Sequence, residues 1–257
     1  MLKSRIIPVL LLKDGRMVKG QRFNNFRDTG DPISAAKVYN AQDADELIFI
    51  DIDASRFGLT RQSEALYRII QKVSEVCFMP LCVGGGIDDL AGALRLIQNG
   101  ADKVIINTSA VEKPDLVCEI ADAAGSQSVV VAVDVKREES RYVIYTHCGM
   151  VPRLDIDFGE YVARLEARGA GEVFINSIDQ DGMMQGYDLD LLKFVREQVK
   201  IPLIACGGAG HFVHLVDAFQ KTRINAVACA SLFHFGDNNP LRAKAYLKNY
   251  NIPLKAI

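Results

Sequence analysis

The sequence predicts an α/β protein folded as a single (β/α)8, or TIM, barrel, and three observations support this fold class. Eight short apolar runs alternate with segments of helical spacing along the 257 residues. The chain is 49% apolar, and its length is typical of one such barrel. Segments from the two halves of the chain also resemble each other at a nearly constant offset. An open, doubly wound sheet is the alternative, because periodicity alone does not establish closure.

The predicted strands are nearly continuous apolar runs, which is typical of parallel strands covered by helices. In chain order they are residues 6–12, 47–53, 81–83, 104–107, 128–134, 173–177, 203–206 and 226–230. The segments between them place apolar residues three or four positions apart and are predicted to be helices. These helices are residues 32–40, 62–76, 89–98, 114–124, 158–167, 189–198, 212–221 and 241–249.

The internal repeat divides the chain near residue 125. An offset of 122 places residues 80–86 on residues 202–208, and an offset of 126 places residues 46–49 on residues 172–175. No linker rich in Pro, Ser or charge separates the two halves. We therefore expect one domain over residues 1–257, made of half-barrels at about 1–125 and 126–257.

Composition excludes several classes of protein. The 30 basic and 32 acidic side chains give a net charge of −2, and no basic run suggests binding to nucleic acid. No apolar run reaches the roughly 18 residues of a membrane span, and Lys13 and Asp14 interrupt the first apolar run before it could serve as a signal peptide. We expect a soluble, cytoplasmic chain that contacts no membrane.

The cysteines and histidines do not suggest a metal site or a disulfide framework. None of the cysteines forms a C-x-x-C pair, and most lie in apolar segments, which favours reduced, buried thiols. They are Cys77, Cys82, Cys118, Cys148, Cys206 and Cys229. His211 and His214 lie three residues apart on a helix predicted to cover the outside of the barrel, with no third ligand nearby.

Glycine and small polar residues follow four of the predicted strands, where a barrel places its active site. Such loops bring backbone N–H groups close to an anion, and the internal repeat makes two of these cradles, so we expect two phosphate sites. The alternative is that the glycines only allow tight turns. The residues concerned are Gly84, Gly85, Gly86, Asn107, Thr108, Gly207, Gly208, Ala209, Gly210, Ala230 and Ser231.

Carboxylates also lie at or just beyond the predicted strand ends, where we expect a barrel to aim them at its mouth. They are Asp51, Asp53, Asp134, Asp179 and Asp181. Asp134 ends a run of apolar residues, so burial could tune its pKa for acid–base catalysis. A salt bridge of Asp134 to Lys136 or Lys19 is the structural alternative. Lys19 lies in the segment 15–30, which we expect to be a flexible loop that folds over an anionic substrate, although a solvated surface lysine is the simpler interpretation.

The chain resembles the cyclase subunits of imidazole glycerol phosphate synthase in histidine biosynthesis, and the likeness runs from residue 5 to about residue 235. The blocks that carry it are residues 13–16, 18–20, 27–32, 83–87, 106–108, 177–182 and 207–210. The resemblance implies a lyase that works with a glutaminase subunit in a heterodimeric glutamine amidotransferase complex and needs no cofactor. It also implies that Asp181 and Gly182 belong to the substrate site with Lys19 and the two cradles.

In that family, ammonia made by the glutaminase crosses the barrel to a bis-phosphorylated ribulosyl aminoimidazole carboxamide ribotide and yields imidazole glycerol phosphate. The resemblance implies that two aspartates, at the ends of the first and fifth strands, transfer protons. Asp134 matches the fifth-strand aspartate, whereas the first-strand position is Leu11. An offset of 123 places Leu11 on Asp134 independently of the family pattern. Loss of one positioned acid or base typically costs about 10²- to 10⁴-fold in rate.

The opposite, N-terminal face of the predicted barrel matches the family in its charged residues. The resemblance assigns Arg5, Glu46, Lys103 and Glu172 to a ring around the ammonia entrance and Asp102 to the glutaminase interface. The alternative is a salt-bridge network that only closes the barrel floor.

Three functions are consistent with these residues. The first is the cyclase reaction, with Asp14, Asp51 or Asp181 replacing the missing acid. The second is a divergent paralogue that serves as ammonia conduit and scaffold for a different amidation, for example of a surface-polysaccharide sugar, and Leu11 motivates it. The third is an isomerase that needs no ammonia, which the charged ring disfavours.

Overall fold

The computed structural model of the chain describes residues 3–54 and 63–255. Its strands are β1 (Arg5–Lys13), β2 (Arg16–Gln21), β3 (Asn24–Gly30), β4 (Leu47–Asp51), β5 (Leu81–Gly84), β6 (Lys103–Ile106), β7 (Val129–Glu138), β8 (Arg141–Thr146), β9 (Val151–Arg153), β10 (Glu172–Ser177), β11 (Leu203–Cys206) and β12 (Ala226–Cys229). Eight of them, β1, β4, β5, β6, β7, β10, β11 and β12, are parallel and pair in a closed ring, because β10 pairs with β7 as well as with β11. The predicted (β/α)8 barrel is confirmed, and the open-sheet alternative is wrong.

Helices connect the barrel strands on the outside. They are α1 (Pro32–Ala41), α2 (Glu64–Ser74), α3 (Leu90–Gln98), α4 (Thr108–Glu112), α5 (Asp115–Ala124), α6 (Phe158–Leu165), α7 (Leu189–Gln198), α8 (Phe212–Thr222), α9 (Ser231–His234) and α10 (Pro240–Lys248). A 3-10 turn at Ser126–Ser128 precedes β7. Side-chain oxygens of Asp31, Ser63, Asp89, Asp157 and Asp188 accept backbone N–H groups at the first turns of their helices and so fix where the helices begin. No described helix is long and apolar enough to cross a lipid bilayer.

Two antiparallel hairpins interrupt the alternation of strand and helix. β2 and β3 follow β1, and β8 and β9 follow β7, so each half of the sequence begins with a barrel strand followed by a hairpin. Residues 15–30, where we expected a loop, contain the first hairpin, and its strand β2 pairs with β1. The division predicted near residue 125 falls at Gly125, between α5 and β7.

Apolar side chains pack in two layers. The outer layer lies between strands and helices and includes the fully buried Phe49. The inner layer fills the barrel and includes Phe174. Alternate residues of each strand point to opposite layers, which accounts for apolar residues on both faces.

The expected buried thiols are confirmed in part. Cys77, Cys82 and Cys229 are buried, and Cys148 and Cys206 are partly buried. Cys118 is exposed because it lies on the solvent side of α5, beside Asp122. All six are free cysteines.

Candidate active site

A cavity opens at the carboxyl ends of the barrel strands, and the hairpin β2–β3 lies over part of it. Most of its polar lining side chains belong to residues that the sequence singled out, and Ser109 and Asn176 are added to them. They are Lys19, Asp51, Asn107, Thr108, Ser109, Asp134, Asn176 and Asp181.

Asp134 lies at the centre of these polar groups, on β7. Its two carboxylate oxygens accept hydrogen bonds from the side-chain amides of Asn107, at 3.1 Å, and Asn176, at 3.2 Å. Burial raises the pKa of Asp134 to about 7; the Asn176 hydrogen bond opposes this rise and the nearby Asp181 carboxylate adds to it. A carboxyl group with this pKa can both accept and donate a proton near neutral pH. Its polar partners in the described part of the chain are the two amides, not Lys136 or Lys19.

Asn176 is a residue of the candidate site that the sequence analysis missed. It pairs with Asp134 across β10 and β7, and its Oδ1 is buried without a hydrogen-bond partner. A polar residue inside the apolar run 173–177 was the available signal.

Leu11 occupies the position of the absent acid. It lines the same cavity and packs against the inner apolar layer, and its register partner on β4 is Ile50. β1 and β4 therefore present the apolar pair Leu11 and Ile50, where β7 and β10 present Asp134 and Asn176.

The structure separates the three carboxylates considered as replacements for an acid at position 11. Asp51 and Asp181 line the cavity, whereas Asp14 is exposed in the turn between β1 and β2 and does not line it. Burial raises the pKa of Asp51, against the hydrogen bond donated by Ser63 Oγ at 2.8 Å. Burial therefore favours the protonated form of Asp51, as it does for Asp134 in the same cavity.

The other two rim carboxylates do not line the cavity. Asp179 Oδ2 accepts the backbone N–H of Arg137 at 2.8 Å, so it holds β7 in place. Asp53 lies 3.8 Å from Lys13 Nζ in a partly exposed ion pair. The expectation that all five carboxylates point into the mouth of the barrel is wrong for these two.

Lys19 is buried, with 3% of its surface exposed, and its Nζ lies 2.6 Å from Asp181 Oδ1. The backbone N–H of Arg22 also donates to the carbonyl of Asp181, at 2.8 Å. The hairpin is therefore fastened across the barrel to the loop after β10. This geometry excludes the solvated-lysine interpretation, because the ammonium group faces the cavity and its ion-pair partner.

The two predicted cradles lie at separate parts of the mouth. Gly85, Gly86, Asn107 and Thr108 line the main cavity beside Asp134. The second group lines a smaller adjoining cavity and consists of Gly182, Gly207, Gly208, Ala230 and Ser231.

Close packing requires glycine in both cradles. Gly85 has a φ of +114°, and a Cβ there would lie 2.5 Å from the carbonyl oxygen of Asp51. Gly208 has a φ of +112°, and a Cβ would lie 1.9 Å from the carbonyl oxygen of Gly186. Ser231 Oγ and Asp181 Oδ2 are buried without hydrogen-bond partners, so the second cradle presents polar groups that a ligand would satisfy.

At the opposite end of the barrel, four charged side chains form a closed ring of alternating sign. Arg5 contacts Glu46 at 2.6 Å and Glu172 at 2.7 Å, and Lys103 contacts the same two carboxylates at 2.9 and 2.8 Å. Burial raises the pKa of Glu46, whereas for Glu172 the Arg5 and Lys103 contacts outweigh burial and lower the pKa. Two cations and two anions leave the ring neutral.

Asp102 lies outside this ring. It is exposed, and its Oδ2 accepts the backbone N–H of Leu81 at 2.8 Å. His211 and His214 lie at the first turn of α8, where His214 Nδ1 accepts the backbone N–H groups of Gly210, at 3.2 Å, and His211, at 3.3 Å. Their i, i+3 spacing therefore serves the helix end.

Comparison with known proteins agrees with this arrangement. Residues 5–239 match the histidine biosynthesis protein family. The chain is 46% identical over 259 residues to the imidazole glycerol phosphate synthase subunit HisF of Caulobacter vibrioides strain NA1000 / CB15N, covering 99% of this chain and 97% of that one. It is 42% identical over 255 residues to HisF of Chlorobium limicola, covering 99% and 100%. With a closed barrel, a polar site at its carboxyl end and a match over nearly its whole length, the chain belongs to the histidine biosynthesis protein family.

Proposed function

We propose that this chain is the cyclase subunit of an imidazole glycerol phosphate synthase, a lyase that uses ammonia from a partner glutaminase. The relatives that carry this subunit name match the whole barrel. The observation that carries the proposal is the position of Asp134, with a pKa of about 7, among Lys19, Asp181 and the two cradles. A bis-phosphorylated substrate spanning the two cradles would present its reacting carbons to this carboxyl group.

Each cradle is proposed to hold one phosphate of the substrate. Backbone N–H groups of Gly85, Gly86 and Thr108 would bind one, and those of Gly207, Gly208 and Ser231 the other, with Asn107, Gly182 and Ala230 shaping the walls. Lys19 Nζ would neutralise part of the substrate's negative charge, and Asp181 positions that ammonium group.

The ring of Arg5, Glu46, Lys103 and Glu172 is proposed to be the entrance for ammonia, with the glutaminase docked on the same N-terminal face of the barrel near Asp102. The ring supports this role because it is neutral and its salt bridges can part without leaving a net charge. The inner apolar layer above it would admit neutral ammonia and exclude the ammonium ion, whose desolvation is costly. A cytoplasmic location belongs to the same proposal.

Asp134 is proposed to transfer protons to and from the nitrogen and carbon atoms of the ring-closing step. Leu11 can take no part, so the second proton transfer falls to another group in the cavity. Asp51 is the best placed candidate, because it lines the cavity and burial favours its protonated form.

The test is turnover of the ribulosyl bis-phosphate substrate by the purified chain with ammonium salts at high pH, followed by product analysis. We expect product from the unmodified chain and at least a 100-fold loss in Asp51→Asn. Turnover no higher than that of Asp134→Ala would contradict the cyclase proposal.

Leu11 motivates a second candidate, an ammonia conduit that serves a different acceptor. In that case the chain activates and receives ammonia from its glutaminase but does not close the imidazole ring. The distinguishing result is glutaminase activity that depends on this subunit, without cyclase product even after Leu11→Asp. Failure to co-purify with any glutaminase would contradict both candidates.

A further inference from the structure

One strand connects the charged ring to Asp134. On β10, Glu172 belongs to the ring, Phe174 belongs to the inner apolar layer, and Asn176 donates its amide hydrogen bond to Asp134. Alternate residues of a strand point to the same face, about 6.6 Å apart, so these three side chains lie in a column on the inside of the barrel. A path from the ring to Asp134 along this column therefore passes Phe174.

Phe174 fills the middle of this column. It is 2% exposed, and it lines the bottom of the cavity while packing in the inner layer. Its register partners are Ala132 on β7 and Ile204 on β11. The inner layer also contains Ala226 and Ala228. These two small side chains and that of Ala132 leave space inside the barrel, and the aromatic ring of Phe174 fills it.

Cys82 lies on the other side of Phe174, next to the ring. It is fully buried in the inner layer, and the charges of Glu46, Lys103, Glu172 and Arg5 all act on its thiol. The order along the barrel is therefore ring, Cys82, Phe174 and then Asp134. This arrangement places a natural reporter thiol in the compartment between ring and aromatic side chain.

We propose that Phe174 is the plug that separates the ammonia entrance from the reaction cavity and controls the passage of ammonia between them. The inference rests on the proposed function only in naming ammonia as the molecule that passes. A close-packed ring blocks even a small molecule until it rotates aside, because protein interiors contain few voids as large as water. The plug therefore keeps water out of the lower compartment when no ammonia arrives.

The first test does not depend on catalysis. The chain and the variant Phe174→Ala are treated with methyl methanethiosulfonate, a small neutral thiol reagent, and modification of Cys82 is followed by peptide mass spectrometry. We expect Cys82 to react at least tenfold faster in Phe174→Ala, because the reagent then reaches it from the cavity. Equal rates would overturn the proposal.

Phe49→Ala is the matched control. It removes the same side chain from a fully buried position on β4, across the barrel from β10, but in the outer layer between strands and helices. Both substitutions leave a comparable cavity and lower stability, so faster modification of Cys82 in both variants would indicate general loosening and would also overturn the proposal.

The second test uses the complex with its glutaminase. Phe174→Trp should lower glutamine-dependent turnover at least tenfold and leave ammonium-dependent turnover within about twofold, because added ammonia enters through the open mouth. If Phe174→Trp fails to fold, the milder variant Phe174→Leu is measured in its place. It should leave both activities within about threefold of those of the unmodified complex. An equal loss of both activities in Phe174→Trp would contradict the plug. If the unmodified complex turns over with neither glutamine nor ammonium, the proposed function is contradicted instead. The rate of Cys82 modification then tests the role of Phe174 by itself.

Discussion

Leu11 and Asp134 occupy equivalent positions on the first strands of the two half-barrels. Leu11 is in register with Ile50 across β1 and β4, and Asp134 is in register with Asn176 across β7 and β10. Both side chains line the same cavity. One half of a repeated structure therefore presents an apolar pair and the other a hydrogen-bonded polar pair.

Replacing Leu11 by aspartate should place a carboxylate in the cavity at the position equivalent to Asp134. If cyclase turnover is limited by the missing acid, Leu11→Asp raises it by about 10²- to 10⁴-fold, measured as product formed with ammonium salts. The same change should lower the free energy of unfolding by about 2–3 kcal/mol, because a partly buried leucine is lost and a carboxyl group gains no designed partner. Leu11→Asn is the control for polarity without acidity, and an equal rise in turnover there would show that proton transfer is not the cause.

Asp134→Asn should abolish proton transfer and change how stability depends on pH. The pKa of Asp134 is about 7 in the folded chain and about 3.9 in an unfolded one, so between these values the folded state holds a proton that the unfolded state has lost. Asp134 therefore lowers stability progressively as the pH rises from about 4 to about 7. Above pH 7 the full penalty is present.

Between pH 4 and pH 8, the free energy of unfolding of Asp134→Asn should rise by roughly 2–4 kcal/mol relative to that of the unmodified chain. Urea unfolding at the two pH values measures this shift, and turnover should fall at least 100-fold. Asp122→Asn, an exposed aspartate on α5, serves as control and should show no such shift. A pH-independent difference for Asp134→Asn would show that its carboxyl titrates normally.

The buried pair of Lys19 and Asp181 gives a prediction about the hairpin. Lys19→Met leaves the Asp181 carboxylate buried without its cation, which should cost about 3–5 kcal/mol in stability or release the hairpin from the mouth. Hydrogen exchange of β2 and β3 distinguishes these outcomes. The double variant Lys19→Met with Asp181→Asn should lose less than the sum of the two single variants, and strict additivity would show that the two side chains do not interact.

The charged ring should be more sensitive to neutralisation than a surface ion pair. Glu46→Gln leaves two cations facing one carboxylate in a nearly buried site, so we expect a loss of about 3–5 kcal/mol, measured by chemical unfolding. Glu64→Gln removes one partner of the exposed Arg95 pair and should cost no more than about 1 kcal/mol. Similar losses in both variants would show that the ring contributes no special electrostatic stability.

The barrel could be predicted from the sequence because its strands and helices differ in the period of their apolar residues. The hairpin β2–β3 could not, since its two turn residues, Arg22 and Phe23, have positive φ angles where Asn or Gly is usual. Its ordering comes from distant contacts instead, including Phe23 packed against Val143, Tyr145 and Ile178. Local propensity carries no information about such contacts.

The candidate site could likewise be predicted only in part from the sequence. Asp134 and the glycine cradles lie at strand ends and were visible as a pattern, whereas the Lys19–Asp181 pair joins residues 162 positions apart. The two carboxylates that do not line the cavity, Asp53 and Asp179, were indistinguishable from Asp51 by sequence position. Only side-chain direction separates them, and the residue type does not determine it.

The last helix bears on the order in which the chain can fold during synthesis. Lys244 on α10 is fully buried and pairs with Asp43, 201 positions earlier, at 2.7 Å and with Asp45 at 2.8 Å. Until the ribosome has released α10, these two aspartates have no such partner, and β1 lacks β12 along one edge. A nascent chain that lacks these two segments therefore leaves one edge of β1 vacant, and the barrel can close only after β12 and α10 have emerged from the ribosome.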